Sequence, residues 1–216
     1  MIKPLQFVVL AILGSCMLAS CTPDGAEYID ELDLVYTNYD VNYDFSSNST
    51  FSVPDKIVKI SSETVNSTNG DFEPDFVSPA YATAILASIR TNMREAGYTE
   101  VDKSADPDII ILPTVFQTDQ IYFYYDWWYW NWFYPGWGPG WGWWYPGYYP
   151  PQVSRIRTGT VMMQMTHPGT AAESDQVLVS WTGVINGLLE GDPSSINSRV
   201  NTSIDQAFAQ SPYLAK

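Results

Sequence analysis

The run from Asp108 to Gln117 limits the fold more than any other part of the sequence. Residues Ile109 to Leu112 are consecutive aliphatic side chains, which is typical of a central strand that is covered on both faces of a sheet. Pro113 conflicts with this pattern, because proline cannot donate to a sheet ladder and indicates a bulge or an edge strand. We expect a sheet with this strand in its interior.

Two amphipathic helices are predicted, one on each side of this run. The first covers Ser78 to Ala96, with Ser78 as its N-cap, Pro79 in the first turn and Gly97 as its terminator. The second begins at Asp192-Pro193. Apolar residues spaced about one turn apart give each helix one face to bury; they are Tyr81, Ile85, Ile89 and Met93 in the first, and Ile196, Val200, Ile204 and Ala207 or Phe208 in the second.

Several other segments have the composition of strands. Val41 to Val53 indicates a hairpin around the turn Ser46-Ser47-Asn48-Ser49, and a short strand follows at Ile57 to Ile60. Further strands are predicted at Tyr98 to Val101, at Ile156 to Thr166 and at Gln176 to Leu189, the last two joined by a Pro168-Gly169 turn. The order strands, helix, strands, helix lacks strict βαβ alternation, so it predicts an α+β fold with a mostly antiparallel sheet and both helices on one face.

The N-terminus has the organisation of a secretion signal. Lys3 is followed by an apolar run from Leu5 to Leu13, which is too short to span a membrane. The tetrapeptide Leu18-Ala19-Ser20-Cys21 resembles the lipobox of bacterial lipoproteins. This resemblance implies that residues 1–20 are a signal peptide, and that Cys21 is lipidated, palmitate included, and becomes the first residue of the mature protein.

The mature chain is predicted to contain one domain on a tether. Residues 21–39 are polar and acidic and are expected to form a linker, and residues 40–212 are expected to form a single domain with an aromatic insertion at 119–152. Thr22 follows the cysteine, and the absence of aspartate there favours sorting to the outer membrane. The domain would face the periplasm or the cell surface.

Charge and sulfur content exclude several functions. The full chain has a formal charge of −14, and loss of Lys3 with the signal peptide makes it more negative still. Such a surface argues against nucleic acid and anionic headgroups as partners. Cys16 leaves with the signal peptide and Cys21 carries lipid, so no disulfide, no catalytic thiol and no cysteine-ligated metal are expected.

Residues 121–149 are the most unusual part of the sequence. They contain eighteen aromatic residues in twenty-nine positions and a single charge, Asp126. Prolines and glycines divide the segment, so it cannot span a membrane as a helix. We expect many of its rings to be exposed as a contact surface, with these tryptophans as candidate binding residues: Trp127, Trp128, Trp130, Trp132, Trp137, Trp141, Trp143 and Trp144.

Trp and Tyr anchor protein interfaces, stack on glycans such as peptidoglycan and lie in the membrane interface, and a protein partner or self-association is favoured over the other two. A low-complexity extension without a ligand is the remaining alternative. Stacking on nucleic-acid bases is excluded, because no Lys or Arg lies between Lys103 and Arg155.

No catalytic residue, cofactor or metal site is predicted. The single histidine, His167, precedes the Pro168-Gly169 turn and is interpreted as a solvated turn residue. The acidic groups around Asp71 to Asp75 and around Asp106 to Asp108 lack the register of a calcium loop and are interpreted as solvated turns. A glycosidase with two carboxylates that meet in space is the enzymatic alternative, but no pair is indicated.

Four short motifs carry a family resemblance. They are Asp44-Phe45 followed by Thr50-Phe51, Glu95-Ala96-Gly97-Tyr98, Ala105-Asp106-Pro107-Asp108-Ile109, and Val179-Ser180-Trp181-Thr182-Gly183. Their order over residues 40–210 resembles the uncharacterised envelope lipoproteins grouped as domain of unknown function 4136. The resemblance supplies no catalytic residues, and it implies that Trp181 is a core residue. The sequence as a whole predicts a non-enzymatic outer-membrane lipoprotein with an aromatic contact surface for a protein partner or the membrane interface; the alternative is a glycan-binding or glycan-active protein.

Overall fold

The computed structural model describes residues 34–61, 75–117, 142–144, 159–168, 176–189 and 193–216. Residues 142–144 are described by their backbone alone. The predicted signal peptide, Cys21 and most of the aromatic insertion lie outside these residues.

The described strands form one mixed sheet of eight strands in the order β1-β8-β7-β5-β2-β4, with β3 paired to β5 and β6 paired to β8. The strands are β1 (Leu34–Tyr39), β2 (Thr50–Ser52), β3 (Val58–Ile60), β4 (Thr99–Glu100), β5 (Ile109–Phe116), β6 (Gly142–Trp144), β7 (Thr160–His167) and β8 (Gln176–Asn186). The long pairs β5–β7, β7–β8 and β1–β8 are antiparallel, and the short pairs made by β2, β3, β4 and β6 are parallel.

The two predicted helices are confirmed as α1 (Pro79–Glu95) and α2 (Pro193–Ala209). Gly97 has φ 98°, the left-handed conformation that ends α1 without a Cβ penalty. The apolar faces of both helices enter one core together with Ile109, Ile111 and Met163 of the sheet, so both helices cover the same face. The α+β prediction is confirmed, with the addition of the parallel pairs.

Pro113 is compatible with a central strand because of a gap between two neighbours. Gln117 donates its backbone N–H to the Ile60 carbonyl at 2.8 Å, on the side of β5 where β3 lies. Backbone groups alternate in direction along a strand, so the nitrogen of Pro113, four positions earlier, faces the same side. On that side β2 ends opposite Ile110 and β3 begins opposite Thr114. The missing N–H therefore falls between the two strands, and β5 stays central without a bulge at the proline.

Two predictions in the N-terminal part are wrong. Residues 34–39 are not linker, because they form β1 along β8 with Val35 and Tyr39 packed against the core. Val41 to Val53 is not a hairpin, because Phe45–Ser47 is a 3₁₀ turn and β2 pairs in parallel with β4 and β5. The even spacing of Tyr43, Phe45, Phe51 and Val53 reflects packing from a turn and from a short parallel strand, which a local pattern cannot separate from a hairpin.

Neither of the two described helices lies on the second face of the sheet. Side chains alternate along each strand, so the residues next to those of the core point to the opposite side. This helix-free face comprises Ile110, Leu112, Thr114 and Phe116 of β5, Met162, Gln164 and Thr166 of β7, and Thr182 and Val184 of β8. All of these side chains are buried.

Candidate functional site

The aromatic segment, residues 121–149, is joined through the chain at both ends to strands of the sheet, β5 and β7. Phe116 closes β5, and its carbonyl accepts the N–H of Gly159 at 2.7 Å just before β7 begins. The residues that flank the segment, Phe116 and Gly159, therefore lie side by side, next to the first pair of the β5–β7 register.

A third attachment lies in the middle of the segment. Gly142 to Trp144 run parallel to the start of β8, with Gly142 opposite Gln176 and Trp144 opposite Leu178. The backbone of Trp143 and Trp144 is therefore part of the sheet, while the other candidates, Trp127, Trp128, Trp130, Trp132, Trp137 and Trp141, lie outside the described residues, as does Cys21.

His167 is buried, so its interpretation as a solvated turn residue is wrong. It is the last residue of β7 and is 3 % exposed. Its Nδ1 lies 3.2 Å from the Asp108 carbonyl oxygen and 2.8 Å from the Tyr43 hydroxyl, and its Nε2 lies 2.7 Å from Ser180 Oγ. Burial lowers the pKa of His167 to about 4, so the ring is neutral at pH 7.

The His167 ring makes the same hydrogen bond as a nucleophilic Ser–His pair. A carbonyl oxygen only accepts, so the contact with Asp108 favours the tautomer with the proton on Nδ1 and leaves Nε2 to accept from Ser180. Ser180, however, is fully buried within β8. Because a substrate carbonyl cannot reach its Oγ, this arrangement joins β7 and β8 to the Tyr43 turn and does not form an open catalytic site.

A polar groove beside α1 was missed by the sequence reasoning. It encloses about 860 Å³ between the end of α1, β4 and the loop after β2. Arg90 Nε bonds Glu100 Oε1 at 2.7 Å, and Arg94 bonds the other carboxylate oxygen. Lys56 and Lys103 also line it, so four of the ten basic residues of an acidic chain meet here. Lys56 is distant in sequence from the other three residues, and their convergence depends on the β2–β4 pairing.

The acidic turns around these strands serve as structural caps. Asp108 accepts from the backbone N–H groups of Ser49 and Thr50 at 2.7 and 2.9 Å, and these bonds keep the pKa of its carboxyl below the usual range. Asp75 forms an ion pair with Lys59 at 2.5 Å. Within the described ranges, no three His, Cys, Asp or Glu side chains cluster as metal ligands; Asp71 and Glu73 lie outside them.

The model of the family described as domain of unknown function 4136 matches residues 35–213. The chain belongs to this family. A crystal structure of a family protein from Bacteroides thetaiotaomicron is similar, with a TM-score of 0.63 and 30% identity over 85% of this chain and 97% of that one. No curated protein matches the chain.

In the described ranges, neither helix has the length and apolarity needed to cross a membrane.

The motifs that suggested the family hold the fold together. Asp44 caps the 3₁₀ turn, and Thr50 exchanges two hydrogen bonds with Asp108. Trp181 is fully buried, as predicted, and donates Nε1–H to Ser211 Oγ at 2.9 Å. The family motifs are thus explained by packing and capping.

Proposed function

We propose that this protein is a non-enzymatic lipoprotein of the bacterial outer membrane, held by lipid on Cys21, which presents residues 121–149 to a protein partner in the cell envelope. The observation that carries the proposal is the attachment of the aromatic segment to the sheet at Phe116–Gly159 and along β6. A segment that continues from the sheet at both ends and pairs with it along β6 presents its side chains at a lower entropic cost than a free tail.

The charge distribution favours a protein over a lipid surface as the partner. Anionic headgroups attract basic segments, whereas this chain carries a formal charge of −14 and the aromatic segment contains only Asp126. Trp and Tyr are also the side chains that most often anchor protein interfaces. An uncharged aromatic surface on an acidic domain fits an apolar patch on another envelope protein.

The non-enzymatic part of the proposal is supported by the surroundings of His167. This single histidine is neutral, and its partner Ser180 is fully buried. The polar groove beside α1, in the described part of the chain, holds Arg90, Arg94 and Glu100 in ion pairs.

The anchor is tested by labelling growing cells with a palmitate analogue. The wild-type chain is expected to incorporate the label and to remain with the outer membrane, and Cys21→Ala is expected to lose both the label and the membrane association. Equal labelling of both proteins would disprove lipidation at Cys21.

The contact surface is tested by cross-linking the lipidated full chain in intact cells. Changing Trp127, Trp128, Trp130 and Trp132 together to Ser should abolish a specific cross-linked protein, because the rings would supply the anchoring area. Tyr36→Ser is the control, since Tyr36 is an exposed aromatic residue on β1, outside the segment, with 45% exposure. If the tryptophan variant keeps its cross-link but no longer binds isolated peptidoglycan, the contact surface serves a glycan and not a protein. If it keeps its cross-link but no longer binds neutral vesicles, the surface serves the membrane.

A further inference from the structure

The helix-free face of the sheet is apolar at its centre. Leu112, Met162 and Val184 lie on adjacent strands there and are 1%, 4% and 1% exposed. Phe116 packs with Met162 and Val184 in a cluster that is separate from the main core. Side chains in the middle of an uncovered sheet face keep their outer atoms in water, so burial this complete requires a second layer.

The described elements do not supply this layer. Both helices belong to the core on the opposite face. Among the described residues, the cluster around Met162 contains sheet side chains only, with Ile60 of β3 at its margin. Even Gln164 and Thr182, polar residues at the centre of this face, are 3% and 0% exposed.

The attachments of the aromatic segment lie at opposite ends of the sheet. Residues 118–158 leave and rejoin the sheet where Phe116 meets Thr160. Between these points Trp144 pairs with Leu178, which is itself opposite His167 at the far end of β7. At about 3.3 Å per residue, the seven steps from Thr160 to His167 correspond to roughly 23 Å. The chain must cover this distance once between Phe116 and β6, and again between β6 and Gly159.

We infer that residues 118–158 of this chain are the layer that covers the helix-free face. The helices fill the other face, so the direct route between the two ends of the sheet crosses this one. The occupant matches the surface chemically, because residues 121–149 carry eighteen aromatic side chains and one charge. Each aromatic ring buries about 150–250 Å², so a few of them cover the apolar centre.

The inference is independent of the anchor at Cys21 and of any partner. It divides the aromatic residues into those that pack on the sheet and those that face away from it. Only the second group remains for the contact surface proposed above.

Thiol protection tests the inference on the full mature chain, with labelled peptides identified by mass spectrometry. Gln164→Cys places a thiol at the centre of the helix-free face, Tyr36→Cys an exposed one at its edge, and Met163→Cys one in the main core. In the intact chain we expect Gln164→Cys to react with a maleimide at least 100-fold more slowly than Tyr36→Cys. Replacing residues 121–149 by a short Gly-Ser linker should remove that protection and leave Met163→Cys protected.

Two results would overturn the inference. One is equal reactivity of Gln164→Cys and Tyr36→Cys in the intact chain. The other is protection that survives the deletion; if it then falls on dilution as dimers dissociate, a second copy is the occupant. Neither result depends on binding to a partner, so the proposed function is judged separately.

Adjacent methionines provide a test that needs no deletion. Met162 points to the helix-free face, whereas Met163 lies in the core with Trp181, the one tryptophan outside the aromatic segment. In NOE spectra of methyl-labelled protein, the Met162 methyl should contact tryptophan or tyrosine rings and Met163 should contact Trp181. A Met162 methyl whose only aromatic contact is Phe116 would overturn the inference.

Discussion

Gly183 lies directly against the ring of Trp181: a Cβ built on Gly183 would be 2.6 Å from Trp181 Cη2 and 3.0 Å from Cζ2. The ring cannot move away easily, because its Nε1–H is bonded to Ser211 and its atoms are fully buried. The glycine two positions after the tryptophan is therefore a packing requirement of β8.

Gly183→Ala is expected to lower the free energy of unfolding by about 1–3 kcal/mol, the usual cost of overpacking a core. Urea unfolding followed by circular dichroism measures it. Trp181→Phe shortens the ring and serves as the matched background. In the Trp181→Phe background, Gly183→Ala should lower the free energy of unfolding by a smaller amount. An equal loss in both backgrounds would show that the Trp181 ring does not clash with the alanine.

Asp108→Asn is expected to destabilise the domain at neutral pH by about 1 kcal/mol, because Asp108 is exposed and solvent screens its bonds. The backbone bonds from Ser49 and Thr50 lower the pKa of Asp108, so its contribution is present above about pH 4 and is lost as the pH falls through the lowered pKa. Wild type and variant should converge in acid. A constant difference from pH 7 to pH 2 would contradict this assignment.

His167 is expected to make the domain less stable between pH 6.5 and pH 4. The unfolded imidazole binds a proton below about pH 6.5, whereas burial holds the folded pKa at about 4, so stability decreases as the pH falls between these values. A shift of this size corresponds to about 3 kcal/mol. His167→Gln should flatten the pH profile in this window. Because the chain has one histidine, its NMR signal is unambiguous and should not titrate above pH 5.

Glu100→Gln is expected to cost up to about 1 kcal/mol, since it leaves Arg90 and Arg94 without their shared carboxylate at a partly exposed site. Asp55→Asn is the control: Asp55 also pairs with Arg90, at 3.2 Å, but its side chain is 98% exposed. Thermal unfolding at low and high salt should show a salt-dependent loss for Glu100→Gln and almost none for Asp55→Asn. Equal losses of stability in the two variants would show that the Glu100 carboxylate is not the group that stabilises the groove.

The elements with strong local signals could be predicted from the sequence. The spacing of Ile85, Ile89 and Met93 with Gly97 after them fixes α1, and the aliphatic run at Ile109 fixes β5 as central. Both signals arise from residues within one element, so the pattern indicates the element without information about its neighbours in the fold.

The parts that failed depend on contacts between distant segments. The local pattern of residues 34–39 predicts a linker, because the acidic surroundings hide the core contacts of Val35 and Tyr39 across β8. The local pattern at His167 predicts a turn residue, because its partners Tyr43, Asp108 and Ser180 come from three other segments. The groove has no local signal for the same reason, since Asp55 and Arg90 are distant in sequence and meet only in the folded domain.

The hydrogen bond between Gly159 and Phe116 has a consequence for how this protein can diverge. It closes the β5–β7 junction locally, so strand alignment does not depend on the number of residues between them. Loop-closure entropy grows only slowly with length, by about 0.6 kcal/mol for each doubling. The junction therefore tolerates changes in the length of the intervening segment without a change in the β5–β7 register.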